Sequence, residues 1–386
     1  MYGQEYALYD LKTLSQAEVA GIRTASERIS QIFHKTAHLL RVVDDETLHT
    51  LGFPQSTLPF IRLKMMQAET VISRLDLVET EGTYKVLELN ADTPTFIKEL
   101  FHVNGRVCEE FAVRNPNEGE EEKLAHAVTS VIKEACNGTD NPYVVFTAHQ
   151  ENDEDTYTAK YLQSLAEFPA RFVPLSKLRI VASEGLYDEE GRKIEVLYRQ
   201  TYPIEQLVLD RSEQDERIGE MLLELVEQKQ LAIINPPSAF LLQSKAVQAA
   251  IWGLHEEGNE FFTELEHTWI EEYFLQTYLE CDPFIEQGQP YVKKPAFGRE
   301  GDTVEVYNPN GDKLFEDENK SYKQYLSVYQ RYVDLPKTSF LSEKGMQEGH
   351  VMIGSFLLNG APSAIGLRVG NRITDNLSYY LPVGVE

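Results

Sequence analysis

Cross-linking chemistry is nearly absent from this chain. Its 386 residues include three cysteines, Cys108, Cys136 and Cys281, scattered without pair spacing. That argues against both a disulfide framework and a cysteine-based zinc site. Positive charge is also scarce: 36 Lys and Arg against 62 Asp and Glu leave a formal net charge of −26. Nucleic acid and anionic membranes bind clustered Lys and Arg, so neither is expected as a partner. No run approaches the ~20 apolar residues of a membrane helix. The opening M-Y-G-Q-E-Y-A-L-Y-D lacks the basic start and apolar core of a secretory signal, so a cytoplasmic location is expected. Internal repeats and low-complexity tracts are missing too. What remains is an ordinary globular composition, 42% hydrophobic and 25% charged, long enough for two or three lobes.

The pattern along the chain alternates helix and strand. Ser15-Gln16-Ala17-Glu18 has the form of a capping box. Val19, Ile22, Ile29, Ile32, Phe33 and Leu40 then continue at mostly helical spacing, predicting a helix from about 15 to 40. A loop at 117–122 leads into a helix to about 135. From Pro142-Tyr143-Val144-Val145-Phe146-Thr147 to Asn235-Pro236-Pro237-Ser238, short apolar strands alternate with helices. This α/β texture marks a lobe over 138–236, between an N-terminal part, 1–137, and a C-terminal part, 237–386. The last part holds a helix carrying Lys245 and Trp252, then strands, with a hairpin signal at Asn359-Gly360-Ala361-Pro362.

The most informative stretch is R-L-D-L-V-E-T-E-G-T-Y-K-V-L-E-L-N-A-D-T-P-T, from Arg74 to Thr95. It reads as a β-hairpin turning about Gly82. Side chains alternate with period two, so Leu75, Leu77, Leu87 and Leu89 share one face and Arg74, Asp76, Glu88 and Asn90 the other. Folding about Gly82 brings Asp76 opposite Glu88, where two carboxylates repel. A cation between them removes the conflict, and Mg²⁺ prefers such oxygen ligands. Arg74 beside it suits a phosphate oxygen. A hairpin with one solvated face would look the same up to this point. The turn that follows, Asn90-Ala91-Asp92-Thr93-Pro94-Thr95, crowds hydroxyls and carboxamides beside those ligands, which a solvated face does not need.

Four weaker signals accompany it. Val292-Lys293-Lys294-Pro295-Ala296-Phe297-Gly298-Arg299-Glu300-Gly301-Asp302 is a strand delivering two lysines into a glycine-containing loop. Its backbone N–H groups can line phosphates, although it is not a Walker A sequence. Lys245 follows Leu241-Leu242-Gln243-Ser244. Val328-Tyr329-Gln330-Arg331-Tyr332-Val333 is a short strand of the kind that reads an adenine edge. Arg368 and Arg372 suit a charged substrate, or equally surface ion pairs. Together these are the parts needed to split ATP.

The segments R-x-D, E-x-N-A-D-T-P-T, K-K-P-x-x-G-R-E-G and I-G-S-F-L-L-N-G-A-P-S-A-I-G-L-R resemble the glutathionylspermidine synthase-like family of ATP-grasp ligases. The match runs in order from Arg74 to the C-terminus and is similar to stand-alone synthetase-like members without an amidase domain. The resemblance implies a mixed α+β and α/β protein: a permuted ATP-grasp fold with an adjoining pre-ATP-grasp-like α/β lobe. It implies ATP and two Mg²⁺ ions, with Asp76, Glu88 and Asn90 as metal ligands and Arg74 stabilising the transferring phosphoryl group. Lys245 and Lys294 would contact phosphates. Arg299 would act from the flap framed by Gly298 and Gly301, and Gln330 with its neighbours, Tyr332 among them, would form the adenine hinge. Glu154 and Asp155 match the family's amine-binding acidic pair. Arg368 is a further substrate-binding candidate. Thr93 and Thr95 stand where glutathione-using members carry serines, so hydroxyls survive in a pocket of different shape.

The expected activity is ligation of a carboxylate to an amine through an acyl phosphate, with a peptide or small-molecule acid and an amine, a polyamine included, as substrates. A nucleotide-binding scaffold or sensor, or a phosphotransferase, would use the same metal site.

Overall fold

The hairpin at 72–90 anchors the largest sheet. The protein is described by a computed structural model covering residues 5–136, 142–375 and 377–386. The boundary expected at 137/138 lies outside the described residues. Strands Ile72–Thr80 and Thr83–Asn90 pair antiparallel, with Thr80 opposite Thr83. The two turn residues, Glu81 and Gly82, have φ of 55° and 78°, as a two-residue hairpin turn matched to strand twist demands. On its other edge Ile72–Thr80 pairs with Gly345–Leu358, Ile353 to Leu358 running opposite Leu77 to Ile72. That long strand turns through Asn359 and Gly360, φ 49° and 82°, into Ala361–Gly370, and Tyr379–Leu381 completes that edge. With Lys337–Ser342 alongside Gly345–Leu358, the sheet is six-stranded and antiparallel throughout.

Helix Gln16–Leu40 covers one face of this sheet. It begins with the expected capping box, Ser15 Oγ accepting from the Glu18 N–H and Glu18 accepting from the Ser15 N–H. Its buried Val19, Ile22, Ile29, Ile32 and Phe33 join Leu75, Leu77, Val86 and Leu89 in one core. Close approach at Gly21 seats the Tyr84 ring, 2.9 Å from where a Cβ would stand.

A four-stranded parallel sheet follows, in the order Ala232–Ile234, Val196–Gln200, Val144–Ala148, Ala170–Phe172. Helix Asp153–Leu165 links Val144–Ala148 to the strand on one side, and helix Ile218–Glu227 links Val196–Gln200 to the strand on the other. The chain therefore changes direction across the sheet between the two central strands. Their apolar runs are buried on both faces, as parallel strands require.

The third sheet is antiparallel, in the order Thr277–Tyr278, Ser327–Arg331, Tyr291–Pro295, Glu305–Tyr307, Lys313–Glu316. It is tied to the first sheet at the hairpin tip, where Arg331 pairs with Glu81. Lys85 adds a second tie, donating to the Glu271 and Phe274 carbonyls at 3.0 and 3.2 Å, the C-terminal end of helix Glu264–Tyr273. Among the described residues no helix is long and apolar enough to cross a membrane.

Two sequence expectations change locally. A β-bulge between Asp76 and Leu77 puts Val86, not Leu87, opposite Leu77. Leu87 is the extra residue: it leaves the leucine face and lines the cleft beside Glu88, which is how bulges re-aim side chains near sites. Lys245 is the residue before helix Ala246–Glu256 rather than part of it.

Candidate functional site

On the polar face of the 72–90 hairpin Arg74 and Asp76 are buried, Glu88 and Asn90 half-buried, and the charges are paired. The Arg74 guanidinium grips Asp76 with two bonds, 2.7 Å to Oδ1 and 3.0 Å to Oδ2, and donates a third to the Thr95 carbonyl at 2.8 Å. Asp76 stands opposite Glu88 in register. The Asn90 carboxamide spans them, 3.2 Å from Asp76 and 3.3 Å from Glu88. Lys245 closes the cluster, its ammonium 3.0 Å from Glu88 and 3.2 Å from the Gly298 carbonyl. Burial, together with the Glu88 charge, pushes the Asp76 carboxyl up against the pull of Arg74. Burial acts on Glu88 too, but Lys245 and Lys294 outweigh it and hold its pKa at about 2.

Among the described residues no three His, Cys, Asp or Glu side chains converge into a metal cage. Two carboxylates and one carboxamide would be the protein share of a Mg²⁺ shell that phosphate and water would complete. The donor chemistry of Asp76, Glu88 and Asn90 fits that ion.

On one side the cluster opens into a cleft. Leu87, Val292, Val304, Val306, Phe315 and Leu335 give it apolar walls, and Lys245, Lys294, Arg299, Gly298, Gly301, Gln330 and Tyr332 line it as well. Lys294 reaches it from strand Tyr291–Pro295 and donates to Gln330 Oε1 at 2.7 Å. Gln330 is itself fixed by Gln248 and Thr277, each at 3.3 Å. Burial lowers the Lys294 pKa to about 8, with Glu88 opposing. The Tyr332 backbone N–H donates to the Pro290 carbonyl at 3.1 Å, so that donor is already used. Arg372 rests over the Phe315 ring, 5.3 Å from its centroid.

On the other side lies a polar cavity. Here the structure gathers Thr93, Thr95, Glu154, Arg299 and Arg368 with Arg74, from five separated stretches of sequence. Arg368 is steadied by the Asp375 carbonyl at 2.6 Å. Asp155 does not share that wall with Glu154. It is buried behind it, and burial raises its pKa to about 6. The two cavities share Asp76, Glu88, Arg299, Gly301 and Met352. The hairpin carboxylates thus stand on the partition between an apolar chamber and a polar one.

The turn after the hairpin is held from the parallel sheet. Buried Arg199 pairs with Asp92, whose other oxygen accepts from the Ile204 N–H at 3.0 Å. Gln200 donates to the Thr93 and Pro94 carbonyls, both at 3.2 Å. Gln243 Oε1 accepts from the Ala91 and Asp92 N–H groups at 2.8 and 3.1 Å. Asn235 donates to the carbonyls of Ile72, Ala91 and Asp92. Phe96, next in line, has a φ of 77°, a costly conformation for a bulky residue and one that recurs at functional sites.

Asp92 is therefore an ion-pair anchor rather than a ligand. Its partners, and Tyr6 and Met352 in the cavity walls, carry no motif. Arg199 alone left a trace, a lone charge inside the apolar run V-L-Y-R-Q.

This architecture has relatives. A Haemophilus influenzae protein, provisionally named an acid–amine ligase, is 24% identical over 334 residues, 82% of this chain and 75% of that protein. The fold is shared with a glutathione synthetase-like effector from Globodera pallida, solved in apo form. That match has a TM-score of 0.58 at 12% identity and covers 98% of this chain and 90% of that one. Residues 1–386 match the family model described as glutathionylspermidine synthase preATP-grasp, and the chain belongs to that family.

Proposed function

We propose that this protein is an ATP- and Mg²⁺-dependent ligase that joins a carboxylate to an amine. One observation carries the reading: buried Arg74 and Asp76, paired with half-buried Glu88 and Asn90, stand at the partition between two chambers of different chemistry. An apolar chamber with two lysines suits a nucleotide. A polar one with threonine hydroxyls, three arginines and Glu154 suits a second substrate. The Haemophilus relative's name supports the ligase class.

In this reading an oxygen of the acceptor carboxylate attacks the γ-phosphorus of ATP and ADP leaves. The amine then attacks the acyl carbon, phosphate departs, and the amine nitrogen loses a proton. Asp76, Glu88 and Asn90 would hold Mg²⁺, which would supply charge neutralisation at the phosphates. Lys245 and Lys294 neutralise further phosphate charge, and Gln330 fixes where Lys294 points. Arg74 presents its guanidinium to the transferring group, backed by the Thr95 carbonyl. Glu154 holds the incoming ammonium. The 296–303 loop covers the partition and excludes water from the activated acid.

The test is ADP release with ATP and Mg²⁺ across carboxylates (glutathione, short peptides, amino acids) paired with amines (polyamines, amino acids). Turnover that requires both partners and yields an amide supports the reading. A stable phosphorylated acceptor would make the protein a phosphotransferase. Nucleotide binding with no pair stimulating turnover would remove the ligase assignment.

A further inference from the structure

One wall of the apolar cleft is a row of four side chains. Gln330, Val292, Val306 and Phe315 stand in register across the neighbouring strands Ser327–Arg331, Tyr291–Pro295, Glu305–Tyr307 and Lys313–Glu316, and all four line the cleft. Strand Tyr291–Pro295 gives this wall a direction. Its far end enters the loop whose Gly298 carbonyl meets Lys245, the partner of Glu88. Just before its start, the Pro290 carbonyl accepts from the Tyr332 N–H. Tyr332 follows Gln330 by two residues, so both side chains face the cleft. Tyr332 therefore stands at the end away from the Asp76–Glu88 partition.

That end is spanned from side to side. Strands lie about 4.8 Å apart, so the three steps from Gln330 to Phe315 cover roughly 14 Å. The rings of Tyr332 and Phe315 nonetheless meet edge to face, their centroids 6.0 Å apart at 76°. They reach each other by leaning over the two strands between them, those of Val292 and Val306. Arg372, in the loop after strand Ala361–Gly370, carries the contact onward, its guanidinium 5.3 Å from the Phe315 centroid. Among the described residues Arg372 pairs with no carboxylate, so it is not spent on a surface ion pair. The same loop meets the flap, since a Cβ on Gly301 would strike Ile373 and the Thr374 carbonyl. Tyr332, Phe315 and Arg372 thus make a continuous strap from the third sheet to the first, and all three line the cleft.

We propose that Phe315 and Arg372 retain the nucleotide: the strap closes over its base, and the hold of Arg372 on Phe315 sets how fast the nucleotide leaves. This rests on the ligase reading and adds two residues and a release step to it. With the phosphates at the lysines and the partition, the base lies on the apolar wall between Lys294 and the strap. Two rings in contact leave no gap for a purine, so release requires Phe315 to swing out, and Arg372 resists that swing. Phe315 sits on the outermost strand of its sheet and Arg372 is exposed, so both can move without opening the core. Neither touches the reacting atoms, and both act as positioning residues.

Two ligands test this on the full chain with Mg²⁺: ADP, and tripolyphosphate, which has phosphates but no base. Stopped-flow chase of ribose-labelled fluorescent ADP gives the release rate, and calorimetry gives both affinities. A guanidinium on a ring at an exposed site is worth about fivefold. Arg372→Ala should therefore speed ADP release by about fivefold and leave tripolyphosphate affinity unchanged. Phe315→Leu should also speed release, although it removes no charge. The double variant should match Phe315→Leu alone, because the two side chains act through one contact. Arg372 is exposed and Phe315 half-buried, so each variant should melt with the parent. The proposal is overturned if Arg372→Ala weakens tripolyphosphate as much as ADP, for the arginine would then act on phosphate. It is overturned equally if the change falls on association rather than release, if the two effects multiply, or if both variants release ADP at the parental rate. Failure of ADP to bind the parent would strike the nucleotide reading itself, and the strap with it.

Discussion

Replacing Arg74 with Met should destabilise the protein strongly, and replacing Asp76 with Leu in the same chain should recover most of the loss. Both side chains are buried, 6% and 2% exposed, and they meet through two hydrogen bonds. Removing one member of a buried pair strands the other charge, at a cost of about 3–5 kcal/mol. Here the stranded carboxylate also faces Glu88 across the ladder, which places the expectation at the upper end. The Thr95 carbonyl loses its partner as well, adding about 1 kcal/mol. With an unfolding entropy of about 2.1 cal/mol/K per residue, a chain of 386 residues loses roughly 1 °C for each kcal/mol. Scanning calorimetry should then show Arg74→Met melting roughly 6 °C below the parent. In the double variant an apolar pair replaces an ionic one of similar volume, which is close to neutral, and repulsion with Glu88 disappears. Both variants should lack ADP release. A single variant that melts with the parent, or a double variant no better than the single, would refute the buried-pair account.

Other outcomes follow from single positions. Burial raises the Glu205 pKa to about 7, above its unfolded value of about 4.3. The folded state therefore binds more protons than the unfolded state between those values, and stability falls as pH rises through that window. Glu205→Gln should melt with the parent at pH 4.5 and above it at pH 8; a difference independent of pH would deny the shift. Gly301→Ala puts a Cβ 2.5 Å from Ile373 and 2.8 Å from the Thr374 carbonyl at a φ of 74°, so the loop must lift. ADP release should fall at least tenfold with little change in melting, and unchanged kinetics would show that the loop does not need that contact. Gly219→Ala would set a Cβ 1.7 Å from the Leu207 carbonyl, displacing helix Ile218–Glu227. Its urea midpoint should drop markedly, and a variant matching the parent would contradict that packing. Lys245→Met leaves Glu88 without its ammonium partner at 3.0 Å, so nucleotide affinity measured by calorimetry should fall at least tenfold; parental affinity would remove Lys245 from the cleft.

What the sequence discloses here is local chemistry and period. The capping box at Ser15 and Glu18, the Glu81–Gly82 turn and the opposition of Asp76 to Glu88 all rest on neighbours a few residues apart, where alternation and turn preference suffice. The bulge that turns Leu87 out was invisible, because Leu87 and Leu89 fit strict alternation equally well. Lys245 missed its expected helix by one residue, since no capping side chain marks the boundary. The supports of the Ala91–Thr95 turn lie 100 to 150 residues away in Arg199, Gln200, Asn235 and Gln243, and no periodicity links them to it. Phe315 was silent for a different reason. Its meaning lies in the Tyr332 ring and the Arg372 guanidinium it meets, a property only of the folded molecule.

The pairing of Ile72–Thr80 with Gly345–Leu358 also sets a timetable for synthesis. Residues 72–77 leave the ribosome nearly 280 residues before their partners at 353–358. At 5–20 residues per second that is a delay on the order of 15 to 60 seconds. During it, the hairpin bearing the charged cluster presents an unpaired strand edge, the kind of surface that templates aggregation. Stalled or truncated chains would carry that edge for good. A cell making this protein therefore has reason to hold the nascent chain on a chaperone until the last hairpin arrives. Slowing translation over 290–345 should lower soluble yield more than slowing it over 10–60, before the hairpin is made.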